Sequence, residues 1–427
     1  MIKKVIIYFL MFSIVLLNIN EVQAQPSILS QSAVLIDTGT GSILAEKDAN
    51  KKMYPASLTK IMTAIIAIEM GNLSDVITVD DDTPYEIAGS HIALEPGEIL
   101  TLKDLLYALM LPSANDAASA IAKHYGGSTE EFVKLMNDKA KELGALNTHF
   151  VNPHGLHDEN HYTTATDLAI ITKYAMKNDT FRAIVGTEKY EIQPTNKKSE
   201  IRYFTNLNKM LYCSTSGQIN VNGQWTSPLY DGTIGVKTGY TPEAGNCLVA
   251  SVEKNGTELI VVALNGISLE MYQDAHNLFN YGFNEYQSTT LVSKNTFVQN
   301  LAIENGDSKE ISIITESDFS TLTKKSSESE IESKVILNDI SLPLEKNDIV
   351  GKMEFSLDGK VIGSINLISP TEVKSTLSNE GKNKFSFVTF LKIVAAIVFF
   401  TIVIRVYNNI RIKLNKKRRR KRFRADI

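Results

Sequence analysis

Pro55-Ala56-Ser57-Leu58-Thr59-Lys60 places a hydroxyl and an amine one helical turn apart, just ahead of the apolar run Ile61 to Met70. That run is apolar on nearly every face, which predicts a helix buried in a domain core rather than one lying on a surface. Pro55 fits the start of such a helix, where a missing N–H costs nothing. Ser57 then falls where backbone N–H groups lack helical acceptors and the helix dipole favours negative charge. Residues three apart share a helix face, so Lys60 can reach Ser57 Oγ. The pair suits a serine nucleophile with a lysine base.

The same spacing recurs at Ser251-Val252-Glu253-Lys254, inside a stretch from Asn246 that reads as a strand running into an Asn255-Gly256 hairpin turn. Positions three apart on a strand point to opposite faces. Only the first copy has the helical setting the chemistry needs.

At 427 residues the chain exceeds what one core organises, so several domains are expected. Lys3 and Lys4, an apolar stretch from Val5 to Leu17 and the small-residue site Val22-Gln23-Ala24 read as a signal peptide over 1–24. Residues 385–404 are apolar except for Ser386, Thr389, Lys392 and Thr401, and are long enough to cross a bilayer. The tail 405–427 carries eleven Lys/Arg against one acid, which predicts a cytoplasmic C-terminus and an extracytoplasmic main body in a single-pass membrane protein. Residues 25–384 hold 30 basic and 46 acidic side chains, a balance that argues against a nucleic-acid surface. Cys213 and Cys247 are the only cysteines; they can pair or remain separate buried thiols. No Cys/His cluster has metal-ligand spacing, so no metal is expected.

In chain order, Ser32–Asp37 and Gly41–Glu46 flank Thr38-Gly39-Thr40 as a β-hairpin. Loop-rich sequence runs from Pro84 to Gly97, and Thr101-Leu102-Lys103-Asp104 is a capping box opening a helix through Met110. Pro112 interrupts it, and a second helix runs from about Asp116 to Tyr125. Helices over Thr129–Leu143 and Thr166–Lys177 bracket the turn-rich loop Asn152-Pro153-His154-Gly155-Leu156-His157, whose histidines lack a recognisable catalytic partner. Strands at Ile234–Tyr240, Cys247–Val252 and Leu259–Leu264 precede a helix over Met271–Tyr286. A hairpin at each end of a helical middle predicts one antiparallel sheet with halves distant in sequence. The organisation expected is thus a domain over 25–289, a β-rich domain over 290–370 with a hairpin at Asp358-Gly359, a linker over 371–384, and the span.

Two further motifs join the first. Ser113-Ala114-Asn115 sits in the helix break, where a hydroxyl and an amide are free of helix-interior duties. Lys237-Thr238-Gly239 sits on a strand, where a cation and hydroxyl can meet a carboxylate and glycine lets a backbone approach closely. A helical Ser-x-x-Lys, a loop Ser-x-Asn and a strand Lys-Thr-Gly in this order match the signature of penicillin-binding proteins and class A β-lactamases. The sequence resembles the low-molecular-mass penicillin-binding proteins, serine-type D-alanyl-D-alanine carboxypeptidases of the S11 kind. Leu94-Glu95-Pro96-Gly97-Glu98, Asn152-Pro153-His154-Gly155-Leu156 and Gly235 to Thr241 match that family too, the likeness being strongest over 28–286.

The resemblance implies a serine β-lactamase/transpeptidase-like α/β domain, an antiparallel sheet with helices, followed by a small all-β domain and a C-terminal transmembrane helix. It implies that Ser57 attacks the peptide bond between the terminal D-alanines of a peptidoglycan stem peptide, with Lys60 as base and Ser113 relaying a proton. Asn115 would hold the peptide amide, Lys237 and Thr238 the terminal carboxylate, and Gly239 the close approach of the strand. The N–H groups of Ser57 and Tyr240 would form the oxyanion hole. β-Lactam antibiotics would acylate the same serine, and no cofactor is implied. Ala114 stands where many relatives have glycine, a change expected to narrow the loop. The segment Cys213–Tyr230, with Trp225, exceeds the family's usual length and reads as an inserted surface loop or a wall of the substrate entrance. The alternatives are a class A β-lactamase, which needs a Glu-x-x-Leu-Asn that Glu142–Asn147 overshoots by one residue, and a non-catalytic penicillin-binding sensor or wall-tethering module.

Overall fold

The computed structural model describes residues 26–85, 88–212, 217–326, 331–357, 359–376 and 387–422. The signal-peptide segment 1–24, Cys213, Asp358 and most of the linker lie outside them.

Strands β1 (Ser32–Asp37) and β2 (Ile43–Lys47) form the expected first hairpin. They join β9 (Thr233–Thr241), β10 (Gly245–Lys254) and β11 (Thr257–Gly266) in a five-stranded antiparallel sheet of order β2-β1-β11-β10-β9. Ser32 lies opposite Leu264 and Asp37 opposite Leu259, closing the sheet between the two ends of the domain. The β10–β11 turn has positive φ at Asn255 and Gly256, as the Asn-Gly pair predicts.

Side chains alternate across this sheet, and both faces are covered. Val34, Ile36, Val249, Ile260 and Val262 enter one core with helix α1 (Lys60–Met70). Leu35, Leu248, Ala250, Leu259 and Val261 enter a second core against the helix Glu270–Glu285. Two buried faces account for strands that are continuous apolar runs. Truncating a fully buried Leu259 to alanine would cost roughly 2–5 kcal/mol.

Between the sheet halves, β3 (Val76–Thr78) pairs with β4 (Ile99–Thr101), a small ladder that flanks the loop-rich stretch 84–97. Helix α2 (Leu102–Met110) opens on the expected capping box, with Asp104 N–H donating to Thr101 Oγ1 at 3.1 Å. Helices α3 (Asn115–Gly126), α4 (Thr129–Glu142), α5 (Ala165–Ala175) and α6 (Asp179–Val185) follow. Ser128, Thr164 and Asn178 cap the last three, and Gly127 ends α3 in the left-handed region. Two hairpins come next, β5 (Lys189–Ile192) with β6 (Arg202–Thr205), and β7 (Ile219–Val221) with β8 (Gln224–Thr226). The second occupies the long 213–230 segment. It turns at Asn222-Gly223, buries Ile219 in the second core and leaves Trp225 exposed. It is therefore a packed element rather than a loose loop.

After α7 (Glu270–Glu285) come β12 (Tyr286–Val292), β13 (Phe297–Ala302), β14 (Glu310–Thr315), β15 (Phe319–Lys324), β16 (Ile331–Leu337), β17 (Ile349–Leu357) and β18 (Lys360–Ile368). The described residues divide into two compact units, and the division differs from a cut at 289/290. The first unit runs to Ser293 and takes in Asp318–Val335 and Met353–Ile365. The reason is strand pairing: β12 continues directly from α7 and zips onto β15, Tyr286 opposite Lys324. The second unit contains β13 paired with β14, and Ile314 of β14 opposite Ile368 of β18. Helix α8 (Phe387–Arg422) runs unbroken past residue 404, so the expected span and much of the basic tail form one helix.

Candidate active site

Ser57 lies in a 3₁₀ turn (Ala56–Thr59) that leads into α1. Ala56, just before it, has φ +47, a conformation costly for any residue with a Cβ. Three neighbours hold it there. Thr59 Oγ1 donates to Ala56 O at 2.8 Å, Leu58 N–H donates to Pro55 O at 3.2 Å, and Gly155 presses so close that a Cβ would lie 1.9 Å from Ala56 O. Val151 N–H donates to His161 Nδ1 at 3.2 Å, which leaves Nε2 to donate to Thr59 Oγ1 at 2.8 Å. The chain Val151–His161–Thr59–Ala56 thereby braces the strained residue beside Ser57.

Lys60 is fully buried, and its Nζ has three neighbours: Asn115 Oδ1 at 2.7 Å, the His154 carbonyl at 2.7 Å and Ser57 Oγ at 3.0 Å. Burial holds the amine well below its ordinary range, the charge of Lys237 adds to the effect, and Asp116 opposes it. The two carbonyl-type oxygens can only accept, so each claims an N–H. A neutral amine has two such hydrogens and one lone pair, which falls to the Ser57 hydroxyl.

Ser113 and Asn115 arrive from the break between α2 and α3. Ser113 takes φ +68 and its buried Oγ has no hydrogen-bond partner. Ala114 has φ −63 and ψ 123, an ordinary extended conformation, so alanine in place of glycine costs no backbone strain. Asn115 spends its amide on both sides, Oδ1 on Lys60 and Nδ2 on Ala88 O at 2.6 Å. Asp116, also buried, accepts from the N–H groups of Ile92, Leu94 and Ala117. It ties the 88–94 loop to the start of α3.

Lys237, Thr238, Gly239 and Tyr240 stand on β9, the last strand of the sheet. Gly239 is the point of closest approach: a Cβ there would lie 3.1 Å from Ser57 N and 3.2 Å from Pro55 O. Lys237 is buried, donates to Thr238 O at 2.9 Å, and burial lowers its pKa to about 7. Tyr240 is exposed. Cys247, opposite Gly239, is a buried free thiol whose pKa burial pushes up to about 12, an inert group.

Residues of all three sequence motifs therefore meet at the Ser57 turn: Lys60 beside Ser57, Asn115 on Lys60, and Gly239 against the Ser57 N–H. His161, Asp116 and the His154 carbonyl are additions from the structure, because their roles depend on contacts between segments that no local spacing encodes. His154 and His161 are held down to about 3 and about 4 chiefly by burial, so neither imidazole is charged near neutrality.

Residues 19–268 match the Peptidase S11 family, described as D-alanyl-D-alanine carboxypeptidase. The chain belongs to this family. Residues 286–375 match the penicillin-binding protein 5 C-terminal domain. The D-alanyl-D-alanine carboxypeptidase DacF of Bacillus subtilis is 35% identical over 85% of this chain and 88% of its own length. DacA of Escherichia coli K12 is 30% identical over 82% and 84%. Among solved structures, penicillin binding protein 5 from Haemophilus influenzae superposes with a TM-score of 0.65 at 28% identity, covering 82% of this chain and 99% of that one. The Streptomyces K15 DD-transpeptidase gives 0.54 at 34%, covering 61% and 99%. The two-part architecture, an α/β catalytic domain followed by β-rich sequence, is thus that of penicillin-binding protein 5.

Proposed function

We propose that this chain, a serine-type D-alanyl-D-alanine carboxypeptidase by family, works through Ser57 as nucleophile on peptidoglycan stem peptides. The observation that carries the assignment is the Lys60 amine. It is buried, held below its ordinary range, and 3.0 Å from Ser57 Oγ, with two acceptors occupying its N–H groups. The hydroxyl proton passes to Lys60 as Oγ attacks the carbonyl of the penultimate D-alanine. The oxyanion settles between the N–H groups of Ser57 and Tyr240. The peptide bond breaks, terminal D-alanine leaves with the proton returned through Lys60 and Ser113, and water then cleaves the Ser57 ester by the reverse route. Lys237 and Thr238 receive the terminal carboxylate. Asn115 orients Lys60 in the resting site, and reaches the substrate amide by exchanging Ala88 O for it.

β-Lactams acylate the same oxygen in this reading. Intact-mass analysis after penicillin treatment should show one adduct, and peptide mapping should place it on Ser57; an adduct on any other serine overturns the assignment. Release of D-alanine from a pentapeptide separates the enzyme from a silent penicillin-binding module.

Among the described residues, one helix, Leu391–Lys413, is long and apolar enough to cross a membrane, with mean hydropathy 1.9. We read it as the anchor, with the basic tail cytoplasmic. Proteolysis of the tail in intact cells would contradict that orientation.

A further inference from the structure

Glu98 has no solvent exposure and closes the turn Glu95-Pro96-Gly97-Glu98. Its Oε1 accepts from Arg202 Nη2 at 2.6 Å and from Thr195 Oγ1 at 2.8 Å, and its Oε2 accepts from Glu95 N–H at 3.1 Å. Arg202 and Thr195 belong to the β5–β6 hairpin, which grips the same turn elsewhere as well. Asn196 Oδ1 accepts from Ile99 N–H at 2.9 Å, Asn196 Nδ2 donates to Gly97 O at 2.8 Å, and Lys198 Nζ meets the Glu95 carboxylate at 3.1 Å.

The turn does not need this grip to keep its own shape. Glu98 N–H donates to Glu95 O at 2.9 Å, Gly97 N–H to Val79 O at 2.8 Å, and Val79 N–H to Glu98 O at 2.9 Å. Nor does a buried ion pair add much stability, since desolvating both charges offsets their attraction, and Arg202 keeps Nε and Nη1 buried without a partner. The consequence of the pair lies at the other end of segment 88–94. These residues form no helix or ladder, and Ala93 takes φ +53, so their path is imposed by what holds their ends. Toward the cleft, Ile92 and Leu94 N–H donate to Asp116 Oδ2 at 3.1 and 3.0 Å. Ser90 O accepts from Asn115 N–H at 2.7 Å, and Ala88 O from Asn115 Nδ2 at 2.6 Å. Asn115 Oδ1 in turn takes a Lys60 N–H at 2.7 Å. A continuous line of short contacts joins the hairpin to the amine beside Ser57.

We propose that Glu98 and Arg202 are positioning residues for acyl transfer: the pair fixes segment 88–94 against Asn115, and Asn115 then keeps the Lys60 lone pair on Ser57 Oγ. Without the pair the segment settles further from α3, and Asn115 loses the Ala88 and Ser90 oxygens that fix its amide. Lys60 then samples orientations in which no lone pair meets the hydroxyl, while the carboxylate grip of Lys237 and Thr238 is untouched. The proposal rests on the reading of Ser57 and Lys60 above.

The test follows acylation of the full-length protein in detergent by labelled penicillin, with rates counted per serine that takes label so that unfolded protein drops out. Arg202→Met should lower the limiting acylation rate at least fivefold and change the half-saturating penicillin concentration less than twofold. Arg202→Lys keeps the charge and most of the reach, and should recover at least half of the rate. If Arg202→Met fails to fold around a lone buried carboxylate, Glu98→Gln/Arg202→Met decides. An amide at 98 can accept from Glu95 N–H and donate to Thr195 Oγ1, so the double variant should fold and show the same loss. An unchanged limiting rate in the folded variants, whatever their melting temperature, reduces the pair to a structural tie and overturns the proposal. So does a change confined to the half-saturating concentration, or a loss that Arg202→Lys does not relieve. Label on a serine other than Ser57 overturns the Ser57 reading and the proposal with it.

Discussion

The backbone carbonyl of His154 accepts a hydrogen bond from Lys60 Nζ at 2.7 Å, so this histidine serves the site through its main chain. Its imidazole, held down to about 3 by burial and then by Lys60, stays neutral wherever the enzyme works. His154→Ala should keep D-alanine release within about threefold of the unaltered enzyme, while lowering the melting temperature through lost packing. A loss of a hundredfold or more in kcat would give the ring a chemical role.

Two imidazoles, His161 buried and His154 half-buried, make the fold acid-sensitive. His154 and His161 titrate near 3 and 4 when folded, against an ordinary value of 6.5. Their folded-state values are depressed, so the unfolded chain binds protons first. Stability is intact above about pH 6.5 and is lost as pH falls toward 4. Thermal melts across that window should show the decline, and His161→Gln should flatten it.

Lys237 is 1% exposed and sits where an amine titrates at about 7 rather than 10.5. That difference costs roughly 4 to 5 kcal/mol at neutral pH. Lys237→Met removes the cost and keeps the volume, so it should raise stability by about 1–3 kcal/mol while activity collapses. The gain is present at pH 7 and shrinks as pH rises toward 10.5, where the unfolded chain no longer binds the proton either. Denaturant melts at pH 7 and pH 10 measure both halves of this expectation.

Asp116 acts on Lys60 through charge and on the 88–94 loop through the N–H groups of Ile92 and Leu94. Asp116→Asn removes the one carboxylate that favours a charged Lys60. The acid limb of penicillin acylation should therefore move to lower pH, alongside a stability loss of about 1.5–3 kcal/mol. A stability loss with an unmoved pH profile would reduce Asp116 to a loop tie.

Gly239→Ala tests the close approach of β9 to Ser57. An added Cβ would sit 3.1 Å from Ser57 N and 3.2 Å from both Pro55 O and Ala56 Cβ. The Ser57 N–H, proposed above as an oxyanion donor, cannot yield a few tenths of an ångström without losing alignment. Acylation should slow at least tenfold with little change in melting temperature.

Much of this site was legible because the chemistry is local. Ser57 and Lys60 share one turn, the Pro112 break is written in its own residues, and Lys237-Thr238-Gly239 falls within a single strand. Less legible was whatever depends on packing. Asp116 looks like an ordinary first-turn acid until Ile92 and Leu94 are folded over it. His161 carries no motif of its own, yet it braces Ala56 across a hundred residues of chain. The 219–226 hairpin read as loop because only Ile219 and Val221 pack inward. The split of the C-terminal strands followed from the β12–β15 register, which alternation alone does not fix.

Strand β9 ends the sheet, and an unpaired strand edge is a standing invitation to self-association. Here the invitation is narrow. At the start of the strand Gly235 packs directly on Val185 of α6, and at its end Gly239 packs on the Ser57 turn. Both contacts lie off the face of the strand, so they fix where β9 sits without using its free edge. The backbone groups that would otherwise seek a second copy of the protein are those beside Ser57, where an extended substrate can take them up. A feature that is a hazard in most sheets would here be the docking rail of the enzyme.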